Sequence, residues 1–257
     1  MSNIARAFER PAFIPFVTAG DPSLDVTEEL IVAMAEAGAD MIELGIPFSD
    51  PTAEGVVIQD ANERACAGGV TTDDVFDMVA RVRGRVDIPL VFMTYANVVY
   101  SYGIERFAAR QEEVGMDGVI LPDVPFEEKE EFDSVFAAHD LDVVSLIAPT
   151  SNERIRTIAG AARGFVYCVS SLGVTGVRTN ITTDIGAMVS LVREVTDIPV
   201  AVGFGISTPE QASRMASLSD GAIVGSAIVK IIAREGEACV GPVTDYVRTM
   251  AEAVHSI

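Results

Sequence analysis

The chain has 257 residues, 49% hydrophobic and 22% charged, which is globular composition with enough apolar side chains for a sizeable core in one large α/β domain or two small ones. Its 38 acids against 18 basic residues leave a formal net charge of −20, a surface that repels nucleic acid and anionic membranes and makes both poor partners. Nothing at the start reads as a secretion signal, and the apolar run at 222–233 is broken by Lys230 and too short to span a bilayer, so the expected setting is soluble and cytoplasmic.

Short apolar segments alternate with amphipathic ones from end to end. A strand over 13–18 meets a Gly-Asp-Pro-Ser turn, and Ser23 is placed to cap a helix over 24–37 whose Leu30, Met34 and Ala37 fall at i, i+4 and i+7. A strand at 41–44 and a helix at 58–65 follow. The next helix, 72–83, carries Val75, Met78, Val79 and Val82 on one face, with Thr71 or Thr72 as its cap. The rhythm continues through strands at 89–94, 118–121, 143–147, 165–170, 199–202 and 221–224. Helices fall at 104–114, 127–138, 152–162, 185–196, 209–218, 227–234 and 243–253. Eight strands, each followed by a helix, imply parallel pairing through right-handed crossovers, and in about 250 residues this favours a (β/α)8 TIM barrel over an open sheet. No linker or charge block divides the chain, so residues 1–257 read as a single TIM-barrel domain.

The most informative stretch is 38–59. A short apolar strand carries one acid, Glu43, near its C-terminal end, and a Pro/Gly-punctuated loop beyond it carries Asp50 and Glu54. An ionised acid within an apolar strand is costly to bury, so Glu43 needs a partner or a chemical task unless it lies on an exposed edge. In a (β/α)8 barrel the active site sits at the C-terminal ends of the strands, with phosphate often held after strands seven and eight. Gly203-Phe204-Gly205-Ile206-Ser207 follows the seventh strand, and Gly225-Ser226 opens the helix after the eighth. Glycines allow close approach to an anion, and free N–H groups with the positive end of the helix dipole attract it. Gly205, Gly225 and Ser226 are therefore candidate phosphate binders, although Gly205 also reads as a turn residue. The glycine-bearing loop 172–183 after strand six has the length of a lid. Cys66, Cys168, Cys239, His139 and His255 show no metal-ligand spacing, and no metal is expected.

Glu43-Leu44-Gly45-Ile46-Pro47-Phe48-Ser49-Asp50-Pro51 resembles the signature of the tryptophan synthase alpha subunit family. So do Pro15 to Pro22, Tyr95-Ala96-Asn97, Pro122-Asp123-Val124-Pro125, Gly173-Val174-Thr175-Gly176, the Gly203 to Ser207 run and Gly225-Ser226-Ala227, in order over about 13–232. The resemblance implies a lyase that cleaves indole-3-glycerol phosphate by retro-aldol chemistry. It makes Glu43 the general acid–base, places Tyr167 close to the reacting hydroxyl, and adds Gly176 to the phosphate cradle with Thr175 facing the site. The family's second carboxylate is an aspartate at the position of Glu54, and the family proline two residues on is Val56, so the acid here reaches one methylene further. Phe16, Met93, Ile147 and Phe204 are expected to wall the indole, though each also reads as barrel filling, and Tyr167 also reads as a core aromatic. The resemblance further implies a beta subunit as partner in an alpha2-beta2 tetramer, docked on the loops at 47–51 and 95–100, with pyridoxal phosphate on that partner and no cofactor on this chain. Indole-3-glycerol-phosphate synthase and a non-catalytic barrel are the competing readings; the former is expected to place lysines in its site, and Lys129 and Lys230 both fall in predicted helices.

The dispersed acids point to a halophilic source with a salt-rich cytoplasm, because self-repulsion at this charge destabilises the compact state in dilute salt. The melting temperature is expected to rise between low and molar KCl in a thermal unfolding series; a flat response removes the halophilic reading.

Overall fold

The computed structural model describes residues 3–169, 184–203 and 205–257. Its eight strands are β1 (Ala12–Thr18), β2 (Ile42–Gly45), β3 (Leu90–Met93), β4 (Gly118–Ile120), β5 (Asp142–Ile147), β6 (Val166–Val169), β7 (Val200–Gly203) and β8 (Gly221–Val224). They form a closed barrel in sequence order, every neighbour parallel, with β8 returning to β1 through Ala12↔Gly221 to Pro15↔Val224.

Around the barrel lie α1 (Leu24–Glu36), α2 (Val56–Ala67), α3 (Thr72–Arg83), α4 (Ala96–Tyr102), α5 (Ile104–Val114), α6 (Glu130–Ala137), α7 (Asn152–Gly160), α8 (Ile185–Arg193), α9 (Pro209–Leu218), α10 (Ser226–Glu235) and α11 (Val240–His255). Local chemistry sets several starts. Ser23 accepts from the Val26 amide at the head of α1, and Thr71 with Asp74 and Thr208 with Gln211 form capping boxes at α3 and α9. Two features differ from the sequence reading. Residues 96–102 form a helix and not a loop. The helix expected over 127–138 divides into a 3-10 turn, Phe126–Glu128, and α6, with Lys129 at the joint.

Two apolar layers follow from the alternation of side chains along each strand. Phe13 and Val17 of β1, Leu90 and Phe92 of β3, and Val166 and Cys168 of β6 pack outward against the helices. The residues between them, Ile14, Phe16, Val91, Met93, Tyr167 and Val169, fill the barrel interior. The N-terminal rim is closed by aspartates placed just before strands. Asp40 accepts from Phe13 N at 2.8 Å, Asp117 from Leu90 N at 2.9 Å and Asp220 from Val200 N at 2.9 Å, each satisfying an amide at the start of the preceding odd strand. Asp40 also binds Arg10 and His255, which ties α11 to the base of the barrel. No helix among the described residues is long and apolar enough to cross a membrane.

An aromatic cluster fixes α3 and α5 to β3. Phe76 is fully buried and meets Phe92 edge-on at 5.4 Å and Phe107 at 5.2 Å between ring centroids. Phe76→Ala is expected to lower the unfolding free energy by about 3–5 kcal/mol, read in a urea titration.

Candidate active site

Glu43 lies on β2 opposite Phe16 of β1 and Val91 of β3, both interior residues, so strand parity alone turns its carboxyl into the barrel. It is 1% exposed, and its Oε1 has no hydrogen-bond partner among the described residues. With no compensating charge beside it among the described residues, loss of water pushes its pKa up to about 8. At neutral pH the group is a proton donor.

Glu54 follows in the loop before α2, yet it too is buried, 5% exposed. Asn62 of α2 donates to its Oε2 at 2.7 Å, and Tyr95, just before α4, supplies a second hydrogen bond. Burial pushes its pKa up to about 7, with both hydrogen bonds pulling the other way. The Tyr95 hydroxyl also accepts from Ala53 N at 3.1 Å, and Gln59 Nε2 donates to the Glu54 carbonyl at 2.7 Å, so the acid is held through both backbone and side chain.

Tyr167 of β6 enters the same cavity, and its ionisation is pushed well upward by burial first and then by the charge on Glu43. The ring lies where it does because β7 ends in glycine. A Cβ at Gly203 would overlap the Tyr167 hydroxyl and sit 2.7 Å from its ring. Gly205, at φ +86°, turns the chain back after β7 and joins Gly225 and Ser226 on the cavity wall. Gly225 precedes α10, a helix with no acid in its first turn and no side chain bonded to its leading amides, which leaves its positive end directed at the cavity.

The structure thus brings together Glu43, Glu54, Tyr167, Phe16, Met93, Gly205, Gly225 and Ser226 around one cavity, with Ile58, Ile206 and Ile223 completing its apolar wall. The enclosed space is about 40 Å³, room for about three waters, so the body of a larger ligand extends toward the open end of the barrel. Ile147 is a correction. It pairs with Cys168 and packs in the outer layer under the helices, while its neighbours Val144 and Leu146 face inward. With a repeat of two, a shift of one residue exchanges the faces of a strand. Thr175, Gly176, Phe204 and the loop 172–183 lie outside the described residues.

Asn62 was missed by the sequence reading, and Tyr95 was noted only as part of a motif. The signal for Asn62 was present: it falls on the buried stripe of α2 with Ile58, Ala61 and Ala65, a polar group where periodicity demands an apolar one. Neither lysine lines this cavity.

The chain matches the family description "Tryptophan synthase alpha chain" over residues 3–255. It is 49% identical over 262 aligned positions to the tryptophan synthase alpha chain of Geobacter sulfurreducens, covering 99% of each chain. It is 47% identical over 245 positions to that of Caldanaerobacter subterraneus subsp. tengcongensis, covering 93% of this chain and 94% of the relative. Among solved structures, tryptophan synthase subunit alpha from Legionella pneumophila superposes with a TM-score of 0.91 at 36% identity over the whole of both chains. A chain of the tryptophan synthase complex from Pyrococcus furiosus superposes with a TM-score of 0.85 at 33% identity, covering 94% of this chain and 98% of that one.

The contact between residue 203 and Tyr167 has a direct test. Gly203→Ala is expected to reduce stability by about 1–3 kcal/mol in denaturant unfolding. It is also expected to change the near-ultraviolet tyrosine signal, which is clean here because the chain has 5 tyrosines and no tryptophan.

Proposed function

The chain belongs to the tryptophan synthase alpha-chain family, lyases that cleave indole-3-glycerol phosphate to indole and glyceraldehyde 3-phosphate, and on that premise we propose how its own residues perform the reaction. The observation that carries the proposal is the pair of buried carboxyls, Glu43 and Glu54, on one cavity with ionisations displaced to about 8 and about 7.

Cleavage breaks the bond between the indole ring carbon and the side-chain carbon that bears a hydroxyl. Glu43, protonated at neutral pH, gives its proton to that ring carbon, and positive charge develops on the ring nitrogen. The resulting carboxylate then takes the hydroxyl proton. The hydroxyl carbon becomes the aldehyde of glyceraldehyde 3-phosphate, and the electron pair of the broken bond returns to the ring to restore indole. Glu43 ends protonated as it began, so no net proton is consumed, and a raised pKa suits a group that must act as acid and then as base. Glu54 accepts the ring N–H and stabilises the positive charge, which it does as carboxylate. Asn62 and Tyr95 support that form. Tyr167 stands near the reacting hydroxyl.

The substrate's phosphate lies at Gly205, Gly225 and Ser226, with Gly176 as a further contributor. Amides and the dipole at the start of α10 supply attraction that the overall charge of −20 denies. Phe16 and Met93 wall the indole; the family resemblance adds Phe204 to that wall and Thr175 facing the site, both outside the described residues. That neither lysine reaches the cavity favours this lyase over a ring-closing barrel enzyme.

The chain works as one barrel domain in the cytoplasm of a halophilic source, with a beta subunit as partner in an alpha2-beta2 assembly. Pyridoxal phosphate belongs to that partner and enters no step on this chain. Support for the docking side comes from two side chains near the barrel mouth, Val56 at 68% exposure and Tyr100 of α4 at 47%.

Indole release is expected to follow a bell in kcat/KM. It rises as Glu54 ionises near pH 7 and falls as Glu43 loses its proton near pH 8. Glu43→Gln should lower kcat by about 10²–10⁴. It should also stabilise the fold at high pH: a carboxyl whose folded pKa is raised contributes fully below its unfolded value of 4.5, and that contribution is lost as pH climbs through about 8. A melting series at pH 5 and pH 9 should therefore show a gain for the variant that is larger at pH 9. Indole release by Glu43→Gln at the parent rate would remove Glu43 from this role.

A further inference from the structure

The helices that follow β7 and β8 are finished in opposite ways. At the head of α9 the leading amides are closed. Pro209 has no N–H, Glu210 turns its carboxylate onto its own amide, and Thr208 accepts from Gln211 N at 3.3 Å in the capping box. Gln211 Oε1 reaches back to accept from Ser207 N at 2.8 Å, from the Ser207 hydroxyl at 3.2 Å and from Thr208 N at 3.3 Å. The head of α10 has no acid in its first turn and no side chain on its leading amides. The start of α10 is therefore the end that faces an anion, and the start of α9 is scaffold.

What the α9 side brings to the cavity is the loop in front of it. Gly205 and Ile206 share the cavity wall with Gly225 and Ser226. Only residues 204–206 separate Ser207 from Gly203, which pairs with Val169 in the barrel sheet. So short a span between two fixed points has little freedom, and wherever Ser207 is held, Gly205 follows. Gln211 holds Ser207 by its N–H and hydroxyl. The carbonyl is held from another element: Tyr246 of α11 donates to it at 2.9 Å. The Tyr246 ring packs on the outer apolar layer, and burial pushes its ionisation upward, so the hydroxyl stays a donor at working pH. At its far end α11 is tied to the base of the barrel by His255 on Asp40, which gives the tyrosine a fixed mount.

We propose that Tyr246 is a positioning residue for the substrate's phosphate: by fixing the Ser207 carbonyl, its hydroxyl sets Gly205 against the start of α10. This rests on the reading above that places the phosphate at Gly205, Gly225 and Ser226. Tyr246 touches no substrate atom and acts through the loop alone.

Tyr246→Phe keeps the ring in its packed layer and removes only the donor. Its KM for indole-3-glycerol phosphate should rise about three- to tenfold, with kcat changed less than about twofold. The constant for competitive inhibition by inorganic phosphate should rise by the same factor. The melting temperature is measured alongside: a lower melting point with both constants unmoved means a structural role only and overturns the proposal. A fall in kcat at unchanged KM overturns it as well. Ser226→Asp tests the reading beneath it, since a carboxylate in the first turn suits the helix dipole of α10 while repelling phosphate. If Ser226→Asp raises both constants and Tyr246→Phe raises neither, the phosphate site stands and the role of Tyr246 falls. If neither variant raises them, or phosphate does not inhibit the parent, the phosphate reading falls and takes the proposal with it.

Discussion

Removing water from the Glu43 carboxyl is the constraint on which the rest of the site depends. Among the described residues nothing charged sits beside it to restore ionisation, and burial is expressed as a held proton. The barrel produces this condition without special devices at Glu43 itself. Phe16 and Val91 flank it through strand pairing, and the interior layer closes around it. A barrel with a polar lumen at this level would hold an ordinary ionised glutamate. The chemistry is thus a consequence of packing.

Glu54 illustrates the opposite balance. It is buried as well, but Asn62 and Tyr95 bond to it, and their support for the charged form keeps its ionisation below that of Glu43. Two carboxyls in one cavity differ in proton affinity because Asn62 and Tyr95 bond to Glu54, while burial is the one cause that raises Glu43 and its Oε1 has no partner among the described residues. In the proposed mechanism, that separation lets one group deliver a proton while the other carries negative charge toward a developing cation. α2 and the Tyr95 segment hold the Glu54 side chain from two directions. The phosphate end of the proposed mechanism rests on backbone at Gly205 and the start of α10, which asks for no lysine in a chain with a net charge of −20.

Much of this was legible in residue order. The eight apolar segments, the cap at Ser23, the Gly-rich runs after β7 and β8, and an acid inside an apolar strand are local patterns, and local patterns survive without knowledge of the fold. The misreadings share a physical origin. Ile147 fails because a strand has two faces and the sequence does not label them; only pairing with Cys168 shows that this one lies under the helices. Lys129 was expected within a single helix over 127–138, whereas it lies buried at the joint between a 3-10 turn and α6. The segment 96–102 reads as a loop because Asn97 and the glycine at 103 interrupt its pattern, yet packing against α5 sustains a helix.

The sequence by itself determined the alternation of strands and helices, hence the barrel, and the order in which acids and glycines arrive at its C-terminal mouth, because both rest on periodicities of two and 3.6 that act between near neighbours. Only the tertiary structure decided which side chains lose water together. Asn62 and Tyr95 reach Glu54 from separate elements, Tyr167 occupies the space left by Gly203, and Glu43 is stripped of solvent by β1 and β3. Proton affinity depends on the dielectric and the donors within a few ångströms, and in a closed barrel those neighbours come from strands far apart in the chain.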